Sequence, residues 1–555
     1  MNIIEPLGQT KRVWLLTLCC FTAALIVAFV MEQPSLFDPY VIHNDTRQHI
    51  YWMAHFQDPE LFRDDPLTDF TSRPRAAPYG FVALYYLMSF FVEPLLFSKL
   101  LPLLLIPLCA VVLFRLGLWL KDALSGFILV AFFLTVIWDA GLFSGGLAHS
   151  FSYPILILFL YSLVRTRYLI ASALLVAGAL FYPPTVLVCA GAWAISFLDV
   201  RRLTLGLRKK GLVHFLAGTV VALTVLMFVY IVQKDDAAGR LVTYAEAVTM
   251  PEFQEGGRVS YFFGTWTFHF LKARRSGLGF QGQLKILFIT AVLIGLLLRA
   301  RAFTTLKEVW YLVMASLCCF VLAHLFLFRL FLPSRYAMVA IPLSIMVFVS
   351  IHLRPTLEQV AELIPILWLR SRRVAAADVG AVALVACFFV LGMGVSSAKV
   401  MRRFTYDRLT SFIATLPKDA MIAGHPIDMD WIPIFSRRKV LVNRELSLPY
   451  HVNYYRMIRE RTNDLLDAYY SDSEAQIARF CGKHSVDYLV VNRVRFSPGY
   501  LASRPIYDEP YNTYIKVKIA GRQRFAALEL PPEMIVWQDD QVLVADCRRM
   551  ADAVR

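Results

Sequence analysis

Charged residues are scarce in this sequence. They make up 17% of its 555 residues, against 58% hydrophobic residues, and the mean hydropathy is +0.55. Soluble domains contain about 25% charged and about 45–50% apolar residues, so the composition indicates an integral membrane protein instead. Apart from His324, the middles of the apolar segments are nearly free of ionisable side chains. This scarcity argues against a transporter, because transporters place such groups near mid-membrane.

Several catalytic signatures are also absent. The sequence contains no Gly-rich phosphate loop, no Walker A motif and no HExxH, which leaves nothing that predicts P-loop nucleotide hydrolysis or a helix-borne zinc site. Most of the nine cysteines fall in or beside apolar segments and lack metal-type spacing. Cys481 and Cys547 lie in the polar C-terminal part. Two buried free thiols are the favoured interpretation there, with a disulfide in an oxidising compartment as the alternative.

The basic residues predict a topology. Lys and Arg give a net charge of +15, but they lie mostly in short loops between apolar segments, where they mark the cytoplasmic side and do not indicate nucleic-acid binding. Apolar segments of about 17–25 residues span a bilayer as helices. With a cytoplasmic N-terminus the charges predict eleven spans: Val13–Met31, Leu95–Leu118, Ala123–Leu142, Phe151–Val164, Tyr168–Phe181, Thr185–Leu198, Leu212–Val232, Gln283–Leu298, Val309–Phe328, Tyr336–Ile351 and Ala377–Ser396.

Two features do not fit the spans. The apolar segment Tyr79–Phe91 breaks the parity, and we expect it to lie along the outer interface. Two arginine pairs, Arg274/Arg275 and Arg329/Arg335, fall on the outer side against the charge rule. The predicted architecture is a transmembrane domain over residues 1–400 with long outer loops at 32–79 and 233–281.

Residues 401–555 have a different pattern. Buried strands are predicted at Ala420–Ala423, Val440–Asn443 and Val486–Val491, separated by helices at Tyr454–Tyr470 and Ser473–Lys483. A strand pair at Met534–Cys547 turns at Asp539-Asp540. Strands that alternate with helices indicate a small α/β domain with a partly parallel sheet, and the odd number of spans places it outside the membrane.

Polar residues of unusual type collect in four outer loops. The first loop, rich in carboxylates, contains His43-Asn44-Asp45-Thr46-Arg47-Gln48-His49. The second loop contributes Asp139 and His149, and the fourth contributes Arg335. The third loop contributes Arg258, Glu252, Glu255, Tyr261, Trp266 and His269. Their convergence suggests a site at the outer interface, where a lipid-linked substrate meets a water-soluble one.

Two of these residues have competing interpretations. Asp45 is either a solvated loop carboxylate or the main functional group of the site. Its place just after the first span makes the two interpretations nearly equal in weight. Arg335 either snorkels to the interface or presents its guanidinium fork to a lipid phosphate. The third loop favours a binding surface, with an interfacial aromatic belt as the alternative.

The stretch from Asn44 to His49, which follows one helix and opens a large outer loop, resembles the GT-C superfamily of membrane glycosyltransferases. That superfamily includes aminoarabinose transferases, protein O-mannosyltransferases and oligosaccharyltransferases. Many members carry an acidic pair at this place; here the pair is Asn44-Asp45, so Asp45 is the remaining candidate. Phe56–Asp69, Gly145–Pro154, Leu332–Tyr336, Leu416–Asp419 and Val486–Val491 resemble an uncharacterised bacterial branch.

The resemblance implies a glycosyltransferase of a bacterial inner membrane that uses a polyprenyl-phosphate sugar donor and a glycan, lipid or protein acceptor. Asp45, with Asp139 as second candidate, is the expected base of an inverting-type attack. Arg335 and Arg258 are expected to bind the donor phosphate, and Arg47, His49, His149 and the residues of the third loop the acceptor. A divalent metal such as Mg or Mn remains open, because one carboxylate beside an amide is a thin hard-cation site. The alternatives are a flippase for lipid-linked sugars and a non-catalytic polysaccharide assembly protein.

Overall fold

The computed structural model of the protein describes residues 7–199, 204–205, 211–232, 237–279, 282–298, 306–363, 373–393, 401–503 and 505–554. Helices dominate the part before residue 400. The longer ones are Leu7–Phe37, Tyr79–Ser89, Pro94–Leu120, Ala123–Ala140, Ser152–Val164, Tyr168–Phe181, Pro184–Ser196, Leu212–Val232, Gly282–Leu298, Lys307–Leu325, Ala340–Leu363 and Arg373–Met393. Short helices at Thr46–His49, Pro66–Ser72, Tyr244–Thr249 and Ser334–Ala337 lie in the outer loops.

Local sequence explains where these helices begin and end. Pro94 and Pro184 occupy first-turn positions, where the missing N–H costs nothing. Asp122 caps the helix Ala123–Ala140 by accepting a hydrogen bond from the Ser125 N–H at 2.8 Å. Gly141 ends that helix with a φ of 59°, a left-handed conformation that favours glycine.

The protein is a multi-pass membrane protein. Among the described residues, five helical segments are long and apolar enough to cross a membrane: Lys11–Phe37, Pro94–Leu120, Leu212–Val229, Lys307–Leu325 and Ser334–Val360. The other six predicted spans coincide with shorter apolar helices, so the count of eleven remains a prediction. The basic clusters at 201–202, 208–210, 299–301 and 370–372 and the end of the last predicted span lie outside the described residues. The helix Tyr79–Ser89 has 11 residues, too few for a bilayer core of about 30 Å.

The C-terminal part contains a five-stranded mixed sheet. Its strands, numbered with the short pairs β1 (Val41–His43), β2 (Leu198–Asp199), β3 (Thr204–Leu205) and β4 (Met401–Arg403), are β5 (Met421–Gly424), β6 (Lys439–Val440), β7 (Tyr488–Asn492), β8 (Ile535–Gln538) and β9 (Val542–Asp546). The order is β6-β5-β7-β9-β8, with β5 parallel to β6 and β7 and with β9 antiparallel to its neighbours. All residues of β7 and β9 are buried, as expected of central strands.

The helices and strands of this domain lie close to the predicted ones. The helices Val452–Tyr469 and Glu474–His484 connect β6 to β7 and differ from the prediction by one or two residues. β6 is shorter than the predicted strand, because the chain leaves the sheet after Val440. Cys481 and Cys547 are both buried free thiols, as the favoured interpretation had it.

The outer loops join the two parts of the chain. β1 of the first loop pairs antiparallel with β4, and Phe70 of the same loop stacks on Tyr454 with ring centroids 3.6 Å apart. The third loop forms a bridge between Leu241 and His451. The C-terminal domain therefore packs directly on the loops that contain the predicted site.

Candidate functional site

The first loop presents Asp45 at a sharp change of backbone direction. β1 ends at His43, and the helix Thr46–His49 begins three residues later, with Asp45 in the capping position. The backbone N–H of Asp45 donates to His43 Nδ1 at 3.2 Å. Its carboxylate makes no capping hydrogen bond to that helix, so the group remains free for another partner.

The second loop packs against the same turn. Gly145, with a φ of +81°, approaches so closely that a Cβ there would lie 2.7 Å from His43 Cβ and 2.8 Å from Thr46 Oγ1. The carbonyl of Gly146 accepts a hydrogen bond from the hydroxyl of Tyr85 at 2.7 Å. The two glycines are therefore needed for the contact that brings His149 toward Asp45.

The electrostatic surroundings of Asp45 keep it ionised. Burial alone would raise the pKa of Asp45, but four neighbours outweigh burial and hold this pKa well below its ordinary value: His43, His149, His49 and Arg274. Burial also lowers the pKa of each of these three histidines. Arg274 is the permanently charged member of the four, whereas each imidazole lowers the pKa of Asp45 only while it is protonated; a second carboxylate, Glu445, lies close enough to raise the pKa of His49.

Three arginines lie at or near this group: Arg335, Arg274 and, next to both of them, Arg275. Arg335 lies beside the hydroxyl of Tyr182 and close enough to His149 and His49 to influence their pKa values. Arg274 lies close enough to Asp45 to lower its pKa, and Arg275 lies beside Tyr450. In the described part of the chain no carboxylate oxygen lies within 4.0 Å of any of the three guanidinium groups.

Arg274 and Arg275 were not among the predicted site residues. Their signal in the sequence is that they lie on the predicted outer side, against the charge rule, and Arg335 shows the same exception.

Arg47 and Arg258 are occupied differently. Arg47 is buried and contacts Glu445 at 2.7 Å and Asp430 at 3.3 Å, with its guanidinium 4.3 Å from the centre of the Trp431 ring. Arg258 contacts the other oxygen of Glu445 at 3.0 Å. Glu445 thus links the first and third outer loops to the C-terminal domain, a cluster named here the Glu445 junction (Arg47, Arg258, Asp430 and Glu445).

The Glu445 junction reaches the turn that contains Asp45. Arg47 also donates to the side-chain oxygen of Asn44 and, at 3.2 Å, to its carbonyl. Burial raises the pKa of Asp430 to about 7, against the opposing effect of Arg47. The two acids and two arginines therefore form a nearly neutral network that fixes the residue next to Asp45.

The remaining predicted residues of the third loop are dispersed. Glu252 is fully buried and binds Tyr455 at 3.0 Å and Arg459. Tyr261 belongs to a small apolar core, and its ring lies 5.4 Å from that of His269. Glu255 and Trp266 are exposed. The structure thus brings His49, His149 and Arg335 together with Asp45, whereas these five side chains lie in the loop's own packing or at its surface.

Asp139 lies in the last turn of the helix Ala123–Ala140, and its side chain is outside the part of the structure described.

The described residues also form no arrangement typical of a metal site. Among the described residues, no three side chains of His, Cys, Asp or Glu are arranged to hold a metal ion.

No protein-family model and no curated protein matches this chain. Solved structures do. The oligosaccharyltransferase of Archaeoglobus fulgidus, in complex with Zn and sulfate, matches with a TM-score of 0.51 at 12% identity, over 90% of this chain and 70% of that one. ArnT from Cupriavidus metallidurans in the apo state matches over 98% and 99% of the two chains, at 14% identity and a TM-score of 0.48.

A further structure of the archaeal oligosaccharyltransferase AglB from Archaeoglobus fulgidus, in complex with an inhibitory peptide and a dolichol-phosphate, covers 89% of this chain and 71% of that one at 14% identity and a TM-score of 0.43. At such identities the likeness shows the fold alone. The chain has the fold of the archaeal oligosaccharyltransferase, and the resemblance stated from its first loop is confirmed at the level of the fold.

Proposed function

We propose that this protein is a glycosyltransferase that moves a sugar from a polyprenyl-phosphate donor to an acceptor at the outer face of a bacterial inner membrane. The observation that carries the proposal is the combination of a carboxylate with a lowered pKa, Asp45, with three arginines, Arg274, Arg275 and Arg335, that form no ion pair within the described residues. A site with excess positive charge around one base suits a reaction in which a phosphate departs and a hydroxyl loses its proton.

The arginines supply the phosphate subsite in this proposal. A guanidinium presents two parallel N–H groups to two phosphate oxygens, and Arg335 and Arg274 approach the Asp45 turn from two different loops. Arg258, which binds Glu445, holds the loops together in our proposal and is no longer a first choice for the phosphate. Arg274 takes its place.

Asp45 accepts the proton of the acceptor hydroxyl. The acceptor oxygen forms a bond to the anomeric carbon, the bond from that carbon to the phosphate oxygen breaks, and the phosphate leaves with the electron pair. The low pKa makes Asp45 a weak base in the empty site. Phosphate bound to Arg274 offsets one of the charges that depress this pKa, so donor binding raises the pKa toward a useful range.

An apolar cavity of about 390 Å³ supports a lipid-linked donor. It lies between the helices Gly282–Leu298, Lys307–Leu325 and Ala340–Leu363, and its lining includes Phe288, Trp310 and Phe348. The helix Ala340–Leu363 begins five residues after Arg335. The cavity extends from Ile341, six residues after Arg335, toward Val309 and Gly295 near the predicted cytoplasmic ends of their helices, so a prenyl chain in it would have its phosphate at the Ile341 end, nearer Arg335.

The proposed reaction does not use a divalent cation. The Archaeoglobus neighbour was solved with Zn, but the described residues contain no group of three His, Cys, Asp or Glu side chains that could hold a metal ion, and Arg274 and Arg335 would repel a cation there. The residues do not fit a hard-cation site, and no step of the proposed reaction depends on one.

Transfer of a radiolabelled sugar from synthetic polyprenyl-phosphate donors to membrane extracts tests the function. We expect Asp45→Asn to bind the donor and to lose about 10²–10⁴-fold in rate, the usual contribution of a general base. Asp64→Asn is the matched control, since Asp64 is an exposed carboxylate of the same loop with a φ of 53° that asparagine tolerates. Equal rates in the two variants would remove Asp45 from the reaction.

A further inference from the structure

A second cavity lies outside the membrane, away from the arginine cluster. It has a volume of about 530 Å³ and is open to solvent, between the helix Asp407–Ile413, the end of β8 and Tyr40 of the first loop. Ligand pockets are about 300–1,000 Å³ in volume, so this one is large enough for a specific small ligand.

The lining combines a flat aromatic surface with polar groups. Trp537 and Phe412 stack almost parallel, with ring centroids 5.6 Å apart and an interplanar angle of 15°. Around them lie Asp407, Arg408 and Gln538. Carboxylates only accept hydrogen bonds, guanidinium groups only donate, and an amide does both. Sugar hydroxyls both donate and accept, and the C–H face of a sugar ring packs on an aromatic surface, so the lining matches a carbohydrate.

Other occupants fit less well. A lipid chain would leave the charged groups of this lining desolvated and unpaired. A phosphate would meet Arg408, but Asp407 and Asp539 in the same lining oppose it. Within the described residues neither Asp407 nor Arg408 takes part in an ion pair, and both are exposed. These charges are therefore available to a neutral ligand with many hydroxyl groups.

The cavity is connected to the catalytic loop. Tyr40 precedes Asp45 by five residues, so their Cα atoms are at most about 18 Å apart. The segment is held against the C-terminal domain by the β1–β4 pair and by the hydrogen bond from the Phe404 N–H to the Tyr40 carbonyl at 3.0 Å. A chain of a few sugar units would cover the distance from this cavity to Asp45.

We infer that this cavity, built on Trp537 and Phe412, is a subsite for the distal sugars of a glycan acceptor. The inference deepens the proposed function and rests on it for the identification of the glycan as acceptor. It selects a glycan from the acceptor classes left open above. It also gives the C-terminal domain a function in acceptor binding, in addition to its contacts at the Glu445 junction.

Binding to an array of soluble bacterial oligosaccharides, measured with the full-length protein in nanodiscs, tests the subsite. We expect the wild type to retain one class of glycan and Trp537→Ala and Asp407→Ala to bind it at least tenfold more weakly. Trp537→Phe should restore most of the binding, because it restores an aromatic face on which a sugar ring can pack. Val517→Ala, at a residue 71% exposed and outside the cavity lining, is the matched control.

The outcomes separate the subsite from the reaction. If the wild type retains no glycan, or if Asp407→Ala binds like the wild type, the subsite is wrong; Asp407 is exposed, so its loss does not disturb the fold. Asp45→Asn should bind glycans normally while failing to transfer. If the protein binds glycans through Trp537 but has no transferase activity, the subsite is supported and the proposed function is refuted. If it transfers sugar without such binding, the proposed function is supported and the subsite is refuted.

Discussion

Replacement of Glu445 by glutamine tests whether the C-terminal domain positions the turn that contains Asp45. Glu445 is 4% exposed and binds Arg47, which is 6% exposed, and Arg258, which is 12% exposed. Removal of one partner from a buried ion pair costs about 3–5 kcal/mol, because the other charge remains buried. Asp430 stays within reach of Arg47 and ionises more readily once Glu445 no longer repels it, so we expect a loss of about 2–4 kcal/mol in the free energy of unfolding.

The expected functional effect is larger than stability alone explains. Arg47 holds both oxygens of Asn44, so a looser Glu445 junction releases the turn on which Asp45 lies. A displacement of about 1 Å at a catalytic group can cost about 10²-fold in rate. We expect kcat to fall while the KM for the donor changes little, because the arginines of the proposed phosphate subsite keep their places.

Asp428→Asn is the control for this experiment. Asp428 forms a buried ion pair with Arg495 at 2.5 and 3.0 Å in the same domain, and neither residue contacts an outer loop in these pairs. Thermal unfolding in detergent and sugar transfer are measured for both variants. If Glu445→Gln and Asp428→Asn lose stability and kcat to the same extent, the Glu445 junction stabilises the fold and does not position Asp45.

Three further predictions follow from the same geometry. Arg335→Lys should weaken donor-lipid binding, since an ammonium group does not reproduce the two-pronged contact, and equal donor binding by this variant in a lipid-binding assay would mean that Arg335 only snorkels. Asp430→Asn should gain stability relative to the wild type as the pH rises from about 4 to about 7, because Asp430 releases its proton near pH 4 in the unfolded chain but holds it to a pKa of about 7 in the folded chain. Thermal unfolding of both proteins as a function of pH measures this difference in stability. A difference that does not change with pH would contradict the raised pKa of Asp430. Reporter fusions after Arg373 should report cytoplasm and fusions after Met401 the outside; a cytoplasmic signal after Met401 would place the C-terminal domain on the wrong side for the proposed reaction.

The sequence predicts those features that depend on local pattern. Apolar length and basic flanks locate the helices, and strand composition locates β5, β7, β8 and β9 to within two residues. Asp45 emerged from its place after the first helix and from the resemblance of the loop. Each of these signals is contained in a few neighbouring residues, which is why one sequence was enough.

The partners of the arginines were not predictable in the same way. Arg47 was expected to bind substrate because it stands two residues from Asp45, yet its partner Glu445 lies 398 positions further along the chain. The sequence predicts Glu252 as an acceptor-binding residue, yet Glu252 is fully buried beside Tyr455. No local pattern distinguishes an arginine that will be neutralised by a distant acid from one that will not.

This distinction between paired and unpaired arginines supports the proposed division of labour at the site. Arg47 and Arg258 are matched by buried acids of the C-terminal domain, which binds both loops without adding net charge. Arg274, Arg275 and Arg335 have no such match among the described residues, although unpaired cations repel one another and lower the stability of the loops. Such a cost is expected where an anionic ligand completes the charge balance, and a phosphate bound between these arginines would do so.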